Sequence, residues 1–367
     1  MKIAQIAPLA ESVPPKLYGG TERAVSWLTE ELVAQGHDVT LFASGDSQTS
    51  ARLIPVIPQA LRLDPTVKDT LGYHIMLLEE VRRRAHEFDV LHFHIDTIHA
   101  PLVRSLAVPS VTTLHGRLDL PDLTSFYRAF PDLSLVSISD HQRLPMPPVN
   151  WAATIHHGLP LDLLRPIVEP QGGYLAFLGR ISPEKRPDRA IRIAAKAGIP
   201  LKIAAKIDNV DRSYWDEVIA PLVAQHEDLV TFVGEIDDRK KPEFLGNARA
   251  LLFPIDWPEP FGLVMIEAMA CATPSIAFRC GSVSEVIDDG RSGFIVDSEE
   301  AAVAALARLD KLPRAGVRRC FEERFSAARM ARDYVALYRK LTAAPFAASS
   351  NVIRFHEPKM MATPKIA

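Results

Sequence analysis

Cysteine is scarce in this chain, and no apolar run approaches the length of a membrane span. Three cysteines, Cys271, Cys280 and Cys320, occur among 367 residues, and their spacing fits no metal-ligand pattern. A sparse, odd set of this kind is typical of a reducing compartment. Residues 1–8 are too short for the apolar region of a signal peptide. We therefore expect a cytoplasmic protein with at most peripheral membrane contact.

An excess of charge of either sign is also missing. The chain has 42 Lys and Arg against 45 Asp and Glu, which gives a formal net charge of -3. A protein that binds nucleic acid through phosphate contacts normally carries a strong basic excess, so we expect no nucleic-acid partner. The sequence also lacks an Asp-x-Asp motif that would hold a metal-bound diphosphate. The length suits two domains, each large enough to bury its own core.

Predicted strands alternate with predicted helices along most of the chain. Apolar runs that predict strands lie at residues 2–7, 39–43, 89–96, 108–116, 133–140, 153–158, 174–180, 201–205, 230–233 and 248–255. Helices are predicted between several of them, for example at residues 71–86 and 263–272, and again at 301–307 and 326–341. This alternation predicts an α/β fold with doubly wound parallel sheets. Residues 163–172 contain two prolines and are the predicted linker between two domains.

One stretch combines a strand end, a proline-rich loop and a helix start with two carboxylates. Pro258 and Pro260 end a strand and impose an exposed loop. From residue 263 to residue 272 the sequence favours a helix. Glu259 therefore lies in the loop, and Glu267 lies in the first helical turns. Free N–H groups at such a helix start favour anions, and open α/β sheets bind ligands at this edge. A capped, buried helix with a surface Glu267 is the alternative interpretation.

Two other loops at predicted strand ends have the composition of phosphate-binding loops. Gly19 and Gly20 follow the first strand, and glycine lets the backbone approach a ligand closely. A simple tight turn is the alternative there. Arg180 ends a later strand and Lys185 follows it, so that two fixed cations can hold a diphosphate. A solvated basic loop is the alternative for this second pair.

A histidine-rich segment at residues 89–96 suggests a different chemistry. The period of a strand places His92, His94 and Asp96 on one face, with His99 close behind. Neutral imidazoles and a carboxylate are good zinc ligands, so a zinc-dependent hydrolase is the second functional hypothesis. No further cluster downstream completes such a site, and packed histidines at strand ends are common. His94 and Asp96 are alternatively placed to face an acceptor.

Several of these motifs, in this order, resemble those of the large retaining glycosyltransferase family 4, also called glycosyl transferases group 1. The two glutamates of the central stretch are separated by seven residues, and Ala-Met-Ala-Cys-Ala-Thr-Pro follows the second. The Gly-Arg-x-x-x-x-Lys spacing around Arg180, the glycine loop after the first strand and the His-Gly pair at His115 extend the resemblance. The resemblance covers about residues 1–340, and the occurrence of several motifs in the expected order is far more specific than any single motif.

The resemblance implies the GT-B fold, in which two Rossmann-like, doubly wound parallel-sheet domains face each other across a cleft. It implies an acceptor domain at residues 1–165, a donor domain at 166–325, a helix that crosses back at 326–345 and a flexible tail at 346–367. The implied activity transfers a sugar from a nucleotide-diphosphate sugar, a UDP-sugar being favoured and UDP-glucose one candidate. The acceptor hydroxyl belongs to a small molecule, a glycan or a lipid-linked group, and neither a cofactor nor a metal ion is implied.

The resemblance also implies roles for individual residues. His115 lies beside the anomeric carbon of the donor and stabilises positive charge there, and Glu259 binds and orients the donor sugar. Glu267 accepts hydrogen bonds from the ribose hydroxyls. The other predicted substrate-binding residues, which contact the donor phosphates or the acceptor, are Gly19, Gly20, Asp96, Arg180, Lys185, Phe261, Gly262 and Leu263.

Two positions depart from the family pattern. The family usually has asparagine where this chain has His157, and it often has glycine where Arg186 stands. The first departure affects the expected hinge geometry, and the second adds a charge or alters the loop after Lys185. Besides the zinc hydrolase, a GT-B epimerase remains an alternative, since it would isomerise a nucleotide sugar without any acceptor.

Overall fold

The computed structural model describes residues 1–16 and 19–343, in which thirteen parallel strands form two sheets. The first sheet has seven strands in the order β3-β2-β1-β4-β5-β6-β7. They are β1 Lys2–Ile6, β2 Asp38–Ser44, β3 Arg52–Ile57, β4 Val90–Phe93, β5 Ser110–Thr113, β6 Leu135–Ser137 and β7 Trp151–Thr154. Strands such as β2 and β4 are buried almost throughout, as expected for a parallel sheet that is covered on both faces.

The second sheet has six strands in the order β10-β9-β8-β11-β12-β13. They are β8 Leu175–Arg180, β9 Leu201–Lys206, β10 Val230–Gly234, β11 Ala250–Phe253, β12 Ser275–Phe278 and β13 Gly293–Val296. Each neighbouring pair that is hydrogen-bonded runs parallel. The two sheets confirm the predicted doubly wound α/β architecture.

Helices connect the strands and cover the sheets. Those of the first half are α1 Gly20–Ala34, α2 Leu71–Arg84, α3 Ala100–Val103 and α4 Pro121–Ala129. Those of the second half are α5 Pro187–Ala197, α6 Arg212–Tyr214, α7 Ala220–Gln225, α8 Lys241–Gly246, α9 Leu263–Ala270, α10 Val283–Val286, α11 Glu299–Leu306, α12 Arg314–Arg324 and α13 Ala327–Ala343. Within the described ranges, none of the helices has the length and apolar character needed to cross a membrane.

The strand order reverses once in each sheet, and both reversals bear on the site. In the first sheet, β1 lies between β2 and β4, so the loops after β1 and β4 leave the sheet side by side. In the second sheet, β8 lies between β9 and β11, so the loops after β8 and β11 also leave the sheet from neighbouring strands. Such switch points open a crevice at the carboxyl ends of the strands, which is where open α/β sheets bind ligands.

The last helix, α13, packs back onto the first sheet. The chain crosses over where the N–H of Leu159 donates to the carbonyl of Phe325 at 2.9 Å and the N–H of Ala327 donates to the carbonyl of Leu159 at 2.8 Å. Further along α13, the amide nitrogen of Gln5 in β1 donates to the hydroxyl of Tyr338 at 3.2 Å. The exact domain boundaries stay a prediction, and the predicted tail at residues 346–367 lies outside the described residues.

Several strands are shorter in the structure than predicted, and three strands, β3, β12 and β13, were not predicted. The strand expected at residues 89–96 ends at Phe93, because the chain bends at residues 95–97 to form the floor of a small cavity. The edge strand β3 is absent from the sequence prediction, since its sequence Arg-Leu-Ile-Pro-Val-Ile carries a proline. An edge strand tolerates proline because one side of its backbone needs no partner.

The crossover predicts a sharp steric constraint at Gly158. A Cβ atom there would overlap the backbone of Ser326, so Gly158→Ala should lower the free energy of unfolding by about 1–3 kcal/mol. Gly72→Ala is the matched control, because Gly72 is exposed in α2 and a Cβ atom there would meet open space. Alanine at that position should be neutral or slightly stabilising. Thermal unfolding of both variants checks the contrast, and equal melting temperatures would contradict it.

Candidate functional site

A cavity of about 670 Å³ lies between the carboxyl ends of the two sheets. Ten of the eleven predicted site residues line it: Gly19, Gly20, His115, Arg180, Lys185, Glu259, Phe261, Gly262, Leu263 and Glu267. The eleventh, Asp96, lines an adjoining cavity of about 470 Å³ that shares Thr21, His115 and Gly116 with the first. The structure therefore brings together segments that are far apart in the sequence, and a cavity of this size fits a small molecule.

Positive charge dominates the lining of the larger cavity. Eight lysine and arginine side chains face four acidic ones, so an anionic ligand is favoured. The cations are Lys16, Arg23, Arg117, Arg180, Lys185, Lys206, Lys240 and Lys241, and the acids are Glu235, Asp237, Glu259 and Glu267.

The loop after β8 presents the first two predicted cations. Arg180 is the last residue of β8, and its guanidinium lies 2.9 Å from Glu184 and 3.7 Å from Asp208. The ammonium group of Lys185 pairs directly with Glu259, and both side chains are largely buried. The cations predicted to hold a diphosphate are thus already paired with carboxylates in the absence of a ligand.

The backbone conformation of Arg186 explains why the family that this chain resembles often has glycine at this position. Its φ of 54° lies in the left-handed region, which glycine enters freely and other residues enter at a cost. The Arg186 side chain compensates with contacts to Asp188 at 3.0 Å and Asp256 at 2.6 Å. The residue therefore keeps the loop turn and ties it to the start of α5 and to the loop after β11.

The carboxylate of Asp188 holds the loop between β8 and α5 in place. Burial by itself would raise the pKa of its carboxyl, but the guanidinium groups of Arg186 and Arg192 and the hydroxyl of Tyr214 outweigh burial and lower the pKa to about 2. The hydrogen bonds to Arg192 and Tyr214 are 2.9 and 2.8 Å long. The carboxylate is therefore ionised at neutral pH and holds the base of the Lys185 loop in place.

The loop after β11 brings Glu259 to the start of α9. Gly262, with a φ of 80°, precedes the helix, and no side chain caps it, so the N–H groups of Leu263 and Val264 have no capping partner. The N–H of Met265 donates to the carbonyl of Gly262 at 3.0 Å. Phe261 is buried and lies in the lining of the cavity. Gly281 packs against this loop so closely that a Cβ atom would overlap the backbone of Glu259.

Trp257 is a cavity residue that the sequence analysis missed. Its indole N–H donates to the carboxylate of Glu259 at 3.1 Å, and the ammonium of Lys185 lies 4.6 Å from its ring centre. The guanidinium of Arg117, from the first domain, lies 5.6 Å from the same ring. Its position two residues before Glu259 was the available signal, because a tryptophan in an exposed loop is unusual unless it contacts a ligand or another domain.

Lys241 is a second residue that was missed. Its ammonium lies 2.6 Å from Glu267 and 3.0 Å from Asp238, while Asp238 also pairs with Arg23 of α1. Burial would lower the pKa of Lys241, but the two carboxylates outweigh burial and raise it. Lys241 begins α8, which no local motif relates to Glu267, so only the folded chain reveals the pair.

A group of histidines forms the wall on the side of the first domain. The Nε2 atom of His115 lies 2.9 Å from Nδ1 of His94, and its ring stacks on that of His157 with centroids 5.3 Å apart. Burial lowers the pKa of His115 to about 3 and that of His94 and His157 well below the usual value. All three imidazoles are therefore neutral at physiological pH. His157, noted only as a departure from the family pattern, also contacts the Phe261 ring.

The predicted zinc cluster does not assemble. The rings of His92 and His94 do lie together, with centroids 4.0 Å apart. His99 has different neighbours: its ring stacks on Phe93 at 4.4 Å and its Nε2 contacts Thr112 at 2.6 Å. In residues 1–16 and 19–343, no group of three or more His, Cys, Asp or Glu side chains is arranged to hold a metal ion. The hydrolase hypothesis therefore loses its structural basis.

Two family models match the chain and together cover most of it. The model described as Glycosyltransferase Family 4 matches residues 18–156, and the model described as Glycosyl transferases group 1 matches residues 168–323. The boundary between the two matches falls within the segment that joins the two sheets.

Two relatives align with this chain along most of their length. The D-inositol 3-phosphate glycosyltransferase of Acidothermus cellulolyticus is 26% identical over 358 residues, which covers 79% of this chain and 78% of that one. The phosphatidyl-myo-inositol mannosyltransferase of Mycobacterium leprae is 27% identical over 336 residues and covers 83% and 86%. Among solved structures, Anabaena HepE in complex with UDP and glucose has a TM-score of 0.70 at 17% identity, covering 93% of this chain and 100% of that one.

The anchoring role of Asp188 predicts a pH dependence of stability. Its pKa in the folded chain is about 2, below the ordinary value of 3.8, so the ionised carboxylate stabilises the fold above about pH 4 and loses this effect as the pH falls toward 2. Asp188→Asn should lower the free energy of unfolding by about 2 kcal/mol at pH 6, and the difference should shrink by about half at pH 3. Urea unfolding at both pH values measures it.

Asp162→Asn is the control for that experiment, because Asp162 is exposed in the segment between the sheets. It should leave the unfolding free energy nearly unchanged at both pH values. A difference between Asp188→Asn and the unsubstituted chain that stays constant from pH 6 to pH 3 would contradict the assigned ionisation.

Proposed function

The chain belongs to glycosyltransferase family 4 and has the GT-B fold, and from that premise we propose the reaction and the roles of its residues. The proposed reaction transfers a sugar from a nucleotide-diphosphate sugar to an acceptor hydroxyl, with retention at the anomeric carbon. One observation carries it: an uncapped helix start and the cations of two strand-end loops converge on one cavity beside two buried carboxylates.

The proposed diphosphate site consists of side-chain cations and backbone N–H groups. Arg180 and Lys185 neutralise the phosphates, and the N–H groups of Phe261, Gly262 and Leu263 at the start of α9 donate to them. Because these cations already pair with carboxylates, the incoming diphosphate exchanges one anionic partner for another. The released carboxylate of Glu259 then accepts hydrogen bonds from hydroxyls of the donor sugar.

The nucleoside end of the donor is proposed to lie toward α8. The carboxylate of Glu267 is buried, and Lys241, which also pairs with Asp238, holds it from one side. A carboxylate with two oxygens can accept hydrogen bonds from both hydroxyls of a ribose while it keeps its lysine partner. Lys241 thus fixes the orientation of Glu267, and the neighbouring Arg23 extends this contact to the first domain.

In the proposed reaction, the bond between the anomeric carbon and the phosphate oxygen breaks, and its electron pair leaves with the diphosphate. The acceptor oxygen bonds to the anomeric carbon from the same face, and its proton passes to the leaving phosphate. His115 lies beside the developing positive charge, while Gly19 and Gly20 allow the donor phosphates and the acceptor to approach the backbone. The cations of the chain supply the charge neutralisation, so no metal ion is assigned to the diphosphate.

The acceptor is proposed to enter through the smaller cavity. Asp96 lines it and shares it with His94 and His115, so its carboxylate can accept hydrogen bonds from acceptor hydroxyls. Two relatives are named for inositol-containing acceptors, which favours a polyhydroxylated ring as the acceptor group, either free or linked to a lipid. A UDP-sugar remains the favoured donor, supported by the HepE complex with UDP and glucose.

The proposal predicts nucleotide binding that does not depend on a metal ion. UDP, or a UDP-sugar, at 100 times its dissociation constant should stabilise the chain by about 2.7 kcal/mol and raise its melting temperature equally with and without EDTA. GDP and ADP are screened in parallel. Glu267→Gln should weaken the shift, whereas Glu79→Gln, at an exposed carboxylate of α2, should not. A stabilisation by zinc with none by any nucleotide would overturn the donor assignment.

A second prediction concerns the leaving group. Lys185→Met should lower kcat about 100-fold or more, because removal of one preorganised charge-stabilising group costs this much in comparable sites. Lys196→Met is the matched control, since Lys196 is an exposed lysine of α5 outside the cavity. Turnover is followed by the release of UDP with and without an acceptor, and NMR of the product gives the anomeric configuration. Full turnover in Lys185→Met, an inverted product, or isomerisation of the donor without an acceptor would each contradict the proposal.

A further inference from the structure

A continuous chain of hydrogen bonds runs from the last helix to the wall of the cavity. The hydroxyl of Tyr338 in α13 lies 3.2 Å from the amide nitrogen of Gln5 in β1. The amide oxygen of Gln5 lies 2.7 Å from Nε2 of His94, and Nδ1 of His94 lies 2.9 Å from Nε2 of His115. Gln5, His94 and Tyr338 are buried, and neither Gln5 nor Tyr338 lines either cavity.

The orientation of the Gln5 amide determines which atoms donate in the hydrogen bonds that link Gln5, His94 and His115. An amide oxygen only accepts, so His94 donates to it from Nε2. Burial lowers the pKa of His94 well below the usual value, so its ring is neutral and its Nδ1 carries a lone pair instead of a proton. His115 must therefore donate to His94 from its own Nε2. Because His115 is also neutral, its Nδ1 is left with an unprotonated lone pair.

The other half of the chain agrees with this direction. The amide nitrogen of Gln5 donates to Tyr338, whose hydroxyl can donate in turn to Nδ1 of His92 at 2.6 Å. Nε2 of His92 then donates to the hydroxyl of Thr113 at 2.7 Å, and Thr113 to that of Tyr334 at 2.8 Å. All these hydrogen bonds are compatible with one donor direction, from His115 through His94, Gln5, Tyr338, His92 and Thr113 to Tyr334. Each of these buried groups therefore has a hydrogen-bond partner.

We propose that Gln5, held by Tyr338 and acting through His94, is a positioning residue that fixes His115 as its Nε2–H tautomer and so presents the Nδ1 lone pair to the substrates. In the described part of the chain, that Nδ1 atom is buried and has no hydrogen-bond partner. Buried polar atoms are rarely left unpaired, and His115 lines both the donor and the acceptor cavity. In this proposal, a substrate group that packs against His115 supplies the partner that Nδ1 lacks.

The tautomer matters because the two edges of a neutral imidazole have opposite electrostatic character. A lone pair next to the anomeric carbon stabilises the positive charge that develops there, whereas an N–H at the same place would oppose it. In hydrolytic triads a buried carboxylate fixes the tautomer of the histidine. Here a neutral amide does so, which keeps His115 uncharged. The catalytic part of this inference rests on the proposed function, but the assignment of the tautomer does not.

The tautomer can be measured without any turnover. The full chain labelled with ¹⁵N-histidine gives long-range ¹H–¹⁵N correlations that distinguish an Nδ1–H ring from an Nε2–H ring. Its twelve histidines include His94 and His115, whose signals are assigned by their loss in His94→Asn and His115→Asn. We expect the Nε2–H tautomer for both rings in the unsubstituted chain. An Nδ1–H ring or a protonated ring at His115 would overturn the proposal.

Two variants then test whether Gln5 is the cause. Gln5→Leu removes the acceptor for His94, so His115 should populate both tautomers, kcat should fall about tenfold and the donor KM should stay within about twofold. Tyr338→Phe removes the hydroxyl that holds the Gln5 amide and also contacts His92. It should act in the same direction to a smaller extent, which keeps the test usable if Gln5→Leu does not fold. Tyr174→Phe removes a buried hydroxyl that donates to the carbonyl of Phe244 and takes no part in these hydrogen bonds. It should change neither the tautomer of His115 nor kcat.

The outcomes separate this inference from the proposed function. If His115 keeps one tautomer in both Gln5→Leu and Tyr338→Phe, the positioning role is wrong, whatever the activity. If the tautomer is lost but kcat is unchanged, the catalytic consequence is wrong. If the unsubstituted chain binds no nucleotide sugar while Gln5 still controls the tautomer, the proposed function fails and the hydrogen-bonded chain stands.

Discussion

The reversal of strand order beside the first strand of each sheet is the constraint on which the site depends. In the second sheet it separates the loops after β8 and β11, which are about 75 residues apart in sequence, and sets them on two sides of one crevice. Lys185 and Glu259 meet there although nothing local in the sequence relates them. The same reversal in the first sheet brings the loop after β1 next to the ends of β4 and β5. Each sheet supplies half of a cavity that neither could enclose alone.

The second general feature is that cations of the site pair with carboxylates of the same protein. Lys185 pairs with Glu259, Lys241 with Glu267, and Arg180 with Glu184. Unpaired charges in so enclosed a cavity would repel one another and would lose part of their hydration. Partner carboxylates remove that penalty and keep each cation in place. They also act as acceptors for hydroxyl groups, so a ligand that carries both phosphates and hydroxyls can engage both members of each pair.

The sequence predicted the parts of the site that depend on local chemistry. Pro258, Pro260 and Gly262 define a loop and a helix start whatever the rest of the chain does, and Arg180 ends a strand that its apolar neighbours specify. Contacts that depend on three-dimensional arrangement were not predictable in this way. Lys241 and the ring of His157 reach the cavity only through the packing of separate elements, and His99 was misplaced because strand periodicity does not continue past the end of β4.

The path of α13 limits how the two halves can move. The helix is bound to the first sheet through buried hydroxyl groups, and the crossover beside Gly158 and Ser326 holds it against the chain that enters the second domain. Across the cleft, several contacts are polar and partly exposed, such as Arg23 with Asp238, and backbone N–H groups of Asp140 and His141 with Glu285. Buried contacts also cross it, namely the hydroxyl of Ser139 with the carbonyl of Pro260 and the ring of His157 with that of Phe261. Polar contacts near solvent can be exchanged for water at little cost, whereas the buried contacts of α13 cannot. An opening of the cavity that preserves the buried contacts of α13 would pivot near the crossover and keep the hydrogen bonds that link Tyr338, Gln5, His94 and His115.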